Sequence, residues 1–222
     1  MSKRKSEWLV KKIVSDINRT IDELRQKELI RDESGIADRK KGADAYEITF
    51  SGKTDANSVM FDKHVSASYI MNTLLRERQY TILLYDKSII QAEFTIDEGE
   101  VIKERLIFMK KHNRIWDKEE ISMADAEDGD WFADEESVPT FLRIDYDPSN
   151  HVECEHPAAH LTLANNESCR IPIQDVVTFS GFIRFVLLHF YGIKLDMGTY
   201  WLDKESTITD KERKMMHVSW NK

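Results

Sequence analysis

Apolar residues recur every three or four positions over residues 6–30, where Leu9, Val10, Ile13, Val14, Ile17, Ile21 and Leu24 are separated by charged and polar ones. A period near that of the α-helix places them on one face, so the spacing predicts a long amphipathic helix lying across a sheet. On its solvated side Asp22 and Gln26, and Glu23 and Lys27, stand one turn apart. Residues 31–35, polar and ending in a glycine that tolerates positive φ, read as the end of this helix. Over residues 45–50 the period drops to two, as it does in a strand. Ser66 is then placed to cap a second helix over 67–78, whose packing stripe is Tyr69, Ile70, Thr73, Leu74 and Arg78.

Three strand patterns follow closely, at 80–85, 88–96 and 100–109. Their joints, Asp86-Lys87 and Asp97-Glu98-Gly99, are short and turn-forming, which predicts an antiparallel meander. Residues 141–145 resume the sheet before the turn signature Asp147-Pro148-Ser149-Asn150. A further hairpin is expected over 159–163 and 169–173, with Pro172 at a strand end or edge, where a missing N–H does little harm. Between Thr178, a capping residue, and Gly192, a helix stop, residues 179–191 are apolar nearly all round, apart from Arg184 and His189. Such a helix has no wet face and is expected to be covered on both sides, by the sheet and by the first helix. Residues 209–215 read as a short helix and 217–220 as a last strand. The expected class is α+β: an antiparallel meander packed by a long N-terminal helix and a buried C-terminal helix, in one domain over 1–222.

Composition changes this picture in one place. Of 222 residues 41% are hydrophobic, enough for a core, and the formal charge is −8. The acids crowd into residues 117–136, where ten carboxylates including Asp125, Glu127, Asp128 and Asp130 face the single base Lys118. An acidic insertion at about 117–137 is therefore expected, either as a solvated loop or as a tether for a basic partner. The first forty-one residues lean basic, so overall acidity does not argue against nucleic acid. No apolar run reaches the roughly 20 residues of a membrane span, and a cytoplasmic location is expected, with Cys154 and Cys169 as free thiols.

Chemistry-bearing side chains concentrate after residue 141. Cys154, His156, His160 and Cys169 are suitable zinc donors, but they lack a Cys-x-x-Cys knuckle and their separations are irregular, so neither a metal nor another cofactor is expected. His151, His156 and His160, converging with Arg143, Arg170 and Asp145, would instead supply acid–base groups beside guanidinium groups for a phosphodiester. The alternative is that the arginines form salt bridges with Asp145 or Asp147 on the sheet face. No glycine-rich phosphate loop, Gly-x-Ser-x-Gly elbow or His-Glu-x-x-His helix occurs, which disfavours nucleotide hydrolysis, serine hydrolase and zincin chemistry.

The segments RQYTILLYDKSIIQAEFTI, VIKERLIFM, LRIDYDPSNHVECEHPAAHLTL, CRIPI and FIRFVLLHFY, in that order, resemble an uncharacterised bacterial family, domain of unknown function 2290. The resemblance covers residues 69–191 and departs at Thr162, where the family pattern more often has histidine. A fainter similarity links the chain to TumE-like toxins, through a sheet meander, an Arg-x-Asp strand and histidines beside a proline. That similarity implies a component of a bacterial conflict system, of phage-defence or toxin–antitoxin type. Two functions are expected on this basis. One is an effector acting on RNA or another phosphodiester through His151, His156, His160, Arg143, Arg170 and Asp145. The other is a non-catalytic subunit that binds a protein partner, encoded nearby, through the first helix or the acidic segment.

Overall fold

Hydrophobic alternation sorts the strands of one sheet into two unlike faces. The computed structural model describes residues 2–62, 64–110, 140–164, 168–196 and 206–219. The expected acidic insertion lies outside the described residues. Among the described residues nine strands, β1 (Ile30–Glu33), β2 (Ile36–Lys40), β3 (Tyr46–Phe50), β4 (Ile82–Leu84), β5 (Ile89–Asp97), β6 (Glu100–Lys110), β7 (Thr140–Tyr146), β8 (Ala159–Leu163) and β9 (Ile171–Pro172), form one antiparallel sheet, in which all but β2 and β3 follow the order β1-β4-β5-β6-β7-β8-β9. β5 is long enough to take two neighbours on one side. Its first half pairs with β4 through Ile90 opposite Ile82, and its second half with β3 through Phe94 opposite Ile48. β2 extends the sheet beyond β3. The β5–β6 turn carries positive φ at both Glu98 (49°) and Gly99 (81°), the backbone that matches the twist of a two-residue hairpin.

Among the described residues three α-helices pack on the sheet: α1 (Ser2–Gln26), α2 (Ala67–Arg76) and α3 (Phe179–Tyr191). Ser66 Oγ accepts from Tyr69 N at 3.1 Å to start α2, and Thr178 Oγ1 accepts from Gly181 N at 3.2 Å to start α3. Gly192, at φ 68°, ends α3. No described helix is long and apolar enough to cross a membrane.

On one face, Ile90, Phe94, Leu106, Phe108 and Ile144 meet α1 and α3 in the main core. Buried Asp16 of α1 accepts from Ser180 N at 3.0 Å, meeting a free N–H in the first turn of α3. At the other end of α3, Tyr191 donates its hydroxyl proton to Asp86 at 2.8 Å and accepts from Ser88 at 2.8 Å, while Lys110 pairs with the same Asp86. On the opposite face Leu83, Ile89, Ile107, Met109 and Phe141 pack beneath α2 and a 3-10 helix, Asp55–Phe61. These cover only the apolar end of that face.

The meander, both caps and the 159–163 strand follow the sequence pattern. Several expectations need correction. Residues 31–35 do not end the first helix. The chain turns at Glu28, with φ 54°, and enters β1 and then β2; the β1 carboxylates Glu33 and Asp32 pair with Arg25 and Arg78. Helix α3 is not covered all round, because sheet and α1 reach only part of its circumference: Arg184, Leu188 and His189 are exposed, and Phe185 and Phe190 are half-buried. Tyr69 of α2 is likewise exposed. The expected 209–215 helix shrinks to a 3-10 turn, Glu212–Lys214, and the last strand to one parallel bridge, Val218 to Ile173.

Candidate functional site

Strand register assembles the polar end of the second face. Glu93 on β5, Arg105 on β6, Asp145 on β7 and His160 on β8 are successive cross-strand partners, so their side chains form one row. Arg143, two residues before Asp145, points to the same face. Asp145 is the hub of the row. Its Oδ1 accepts from Arg105 Nε at 2.8 Å, its Oδ2 accepts from Arg143 Nε, and His160 Nε2 stands 3.8 Å from Oδ2. The ring of Phe61, at the end of the 3-10 helix, lies under both guanidinium groups, 4.8 Å from Arg105 Cζ and 5.6 Å from Arg143 Cζ.

A recess of about 220 Å³ opens over this row, lined by Arg105, Arg143, Arg170, Asp145, His156 and His160 among others. Two short hydrogen bonds between Val152 and His156 fold the 152–156 loop back on itself, and the His156 ring meets that of His160 edge-on, 4.9 Å between centroids. Arg170 precedes β9, which pairs with β8 beside His160. Among the described residues, buried His156 Nδ1 and Arg170 Nε have no hydrogen-bond partner. Buried polar atoms left unpaired carry a desolvation cost, which a ligand would relieve.

The protonation of His160 follows from its contacts. Nδ1 lies 2.9 Å from the Pro157 carbonyl, which only accepts, so Nδ1 carries a proton and donates. In the neutral ring Nε2 then presents its lone pair toward the side of Asp145. Burial holds the imidazole below its ordinary range, and the charges of His156 and Arg170 act in the same direction, against the Pro157 bond and Asp145. The arrangement gives a neutral base next to three guanidinium groups. Of the two carboxylates lining the recess, Asp145 holds two arginines and Asp147 is held by Lys103 at 2.9 Å.

Five of the six residues singled out from sequence therefore line one recess: His156, His160, Arg143, Arg170 and Asp145. His151 does not join them. The turn Pro148–Asn150 carries it toward Glu212, a fully buried carboxylate 3.3 Å from His151 Nε2 that also accepts from Cys154 N at 3.3 Å and Thr209 N at 3.0 Å. His151 ties the C-terminal segment to the 147–156 loop. Among the described residues, no three His, Cys, Asp or Glu side chains are grouped so as to hold a metal ion, and Cys154 and Cys169 are free thiols. Arg105 and Phe61 were not foreseen. Arg105 stands in phase with Ile107 in a strand pattern, a signal that gains meaning only once register sets it against Asp145.

A family model described as an uncharacterised conserved protein, DUF2290, matches residues 29–220, and the chain belongs to that family. The match is wider than the 69–191 stretch that carries the resemblance in sequence, and α1 lies before it. Neither a curated protein nor a solved structure matches the chain.

Proposed function

We propose that this recess binds a phosphodiester of RNA and that the chain cleaves it. The observation that carries the reading is the meeting of Arg105, Arg143 and Arg170 with a neutral His160 in one concave site. The guanidinium groups offer paired N–H donors to phosphate oxygens and neutralise charge that builds up in the transition state. His160 Nε2 takes the proton of a ribose 2′-hydroxyl, whose oxygen attacks phosphorus as the 5′-oxygen departs with the bonding pair. The products are a 2′,3′-cyclic phosphate and a 5′-hydroxyl. In-line displacement sets the leaving oxygen opposite the nucleophile. The His156 ring meets that of His160 edge-on; in this reading His156 positions the phosphate and water supplies the leaving group's proton.

The similarity to TumE-like toxins extends the proposal. In that reading the chain is the effector of a bacterial conflict system, acts in the cytoplasm and is restrained by a protein partner encoded nearby. Expression of the chain alone should slow growth, and His160→Ala or Arg143→Ala should abolish the effect while the protein still accumulates. Normal growth with soluble wild-type protein would contradict it.

A second reading, a non-catalytic subunit, is favoured by one observation. Helix α1 precedes the residues the family model matches, and its Trp8 is 55% exposed. Copurification of a neighbour-encoded protein that Trp8→Ala releases, without growth inhibition, would select that reading.

A further inference from the structure

A second recess of about 220 Å³ adjoins the first and shares Arg105, Asp145 and Asp147 with it. Its other walls include Glu93, Thr95 and Lys103. Glu93 is the far member of the cross-strand row, opposite Arg105. Lys53 Nζ holds Glu93 Oε2 at 2.7 Å, whereas Oε1 is buried and has no hydrogen-bond partner among the described residues. A carboxylate oxygen kept from water without a donor is costly, and folding alone gives no reason for it at a position flanked by a recess.

Resting on the phosphodiester reading, we infer that this second recess takes the nucleobase beside the scissile phosphate and selects guanine through Glu93. Adjacent strands are about 4.8 Å apart, so Glu93 lies roughly 10 Å across the sheet from Asp145. A phosphate among the arginines can thus extend its own nucleoside toward Glu93. A recess of this volume has room for a nucleobase. Among the RNA bases only guanine presents two adjacent N–H donors, N1–H and the N2 amine, which a carboxylate accepts as a pair. Adenine and cytosine offer a single amine beside a ring acceptor, which a carboxylate repels, and uracil offers one N–H between two carbonyls.

The test uses the full chain and 3′-nucleoside monophosphates as probes, with binding followed by calorimetry. 3′-GMP should bind about tenfold more tightly than 3′-UMP, in the range expected for one well-paired base contact. It should also bind several-fold more tightly than 3′-IMP, which lacks the N2 amine. Glu93→Gln should narrow the spread among these nucleotides to about twofold. The GMP–IMP comparison needs no variant and stands even if Glu93→Gln fails to fold. Equal affinities for all the nucleotides and for inorganic phosphate would overturn the base-reading inference and leave the phosphate recess standing. No binding of phosphate or of any nucleotide would overturn both.

Discussion

The two faces of the sheet are built from the same strands and held by different forces. The face under α1 and α3 is largely apolar, and among its buried polar groups Asp16 and Asp86 meet the two ends of α3, at Ser180 and Tyr191. The face under α2 is apolar at one end. At the other it carries Glu93, Arg105, Arg143, Asp145 and His160, which burial makes expensive unless each is paired. Hydrophobic packing thus places a rigid row of ionisable groups where they would not gather unaided. The cost falls on atoms in and around that row that have no partner among the described residues, including His156 Nδ1, Arg170 Nε and Glu93 Oε1.

Substitutions should separate the faces. Phe182 in α3 is fully buried, and Phe182→Ala should cost about 3 to 5 kcal/mol, a large part of the 5 to 15 kcal/mol of a typical domain. Half-buried Phe185→Ala should cost about half as much, and urea midpoints at a common slope compare the two. If the Phe185 variant is the weaker one, α3 is covered on the side that the structure leaves open. Asp145→Ala leaves the buried Arg143 without its carboxylate and should cost about 3 kcal/mol. Asp145→Asn, which keeps the shape, should cost less in stability and still abolish cleavage.

Asp16→Ala removes the acceptor for Ser180 N and should cost about 1 to 2 kcal/mol, with no loss of activity in the protein that remains folded. The smallest effect is one of pH. The folded state holds His160 below its unfolded pKa, so unfolding takes up a proton in the interval between them. The stability this contributes is complete above the unfolded pKa of about 6.5 and is lost as pH falls toward the folded value. Urea midpoints of the wild type should therefore decline more steeply from pH 7 to pH 5 than those of His160→Gln. Parallel declines would remove the buried neutral histidine from the account.

Legibility followed the same division. Period and caps located α1, α2, α3 and the meander, because each depends on neighbours a few residues apart, as in Ser66 with Tyr69 or Thr178 with Gly181. On the first face Phe185 and Leu188 carry the pattern of core residues, but which part of a helix is covered depends on partners distant in the chain. On the second face residue type alone drew Arg143, Asp145, His156, His160 and Arg170 together. It could not separate His151, since one 3-10 turn decides that its ring meets Glu212, 61 positions on. Arg105 and Glu93 escaped notice because their roles arise from the register of β5, β6 and β7, which local pattern does not encode.

The central claim is that His160 acts as a neutral base beside a bound phosphodiester. The pH dependence of cleavage of a guanine-containing oligoribonucleotide by the purified full chain tests it most directly. Cleavage should yield 2′,3′-cyclic phosphate ends, at a rate that climbs with pH through an apparent pKa below about 6.5 and then levels off. His160→Ala should lower the plateau by a factor of about 10² to 10⁴ and abolish that rise. An unchanged rate and profile in the His160→Ala variant, or no cleavage by wild type at any pH, would contradict the account.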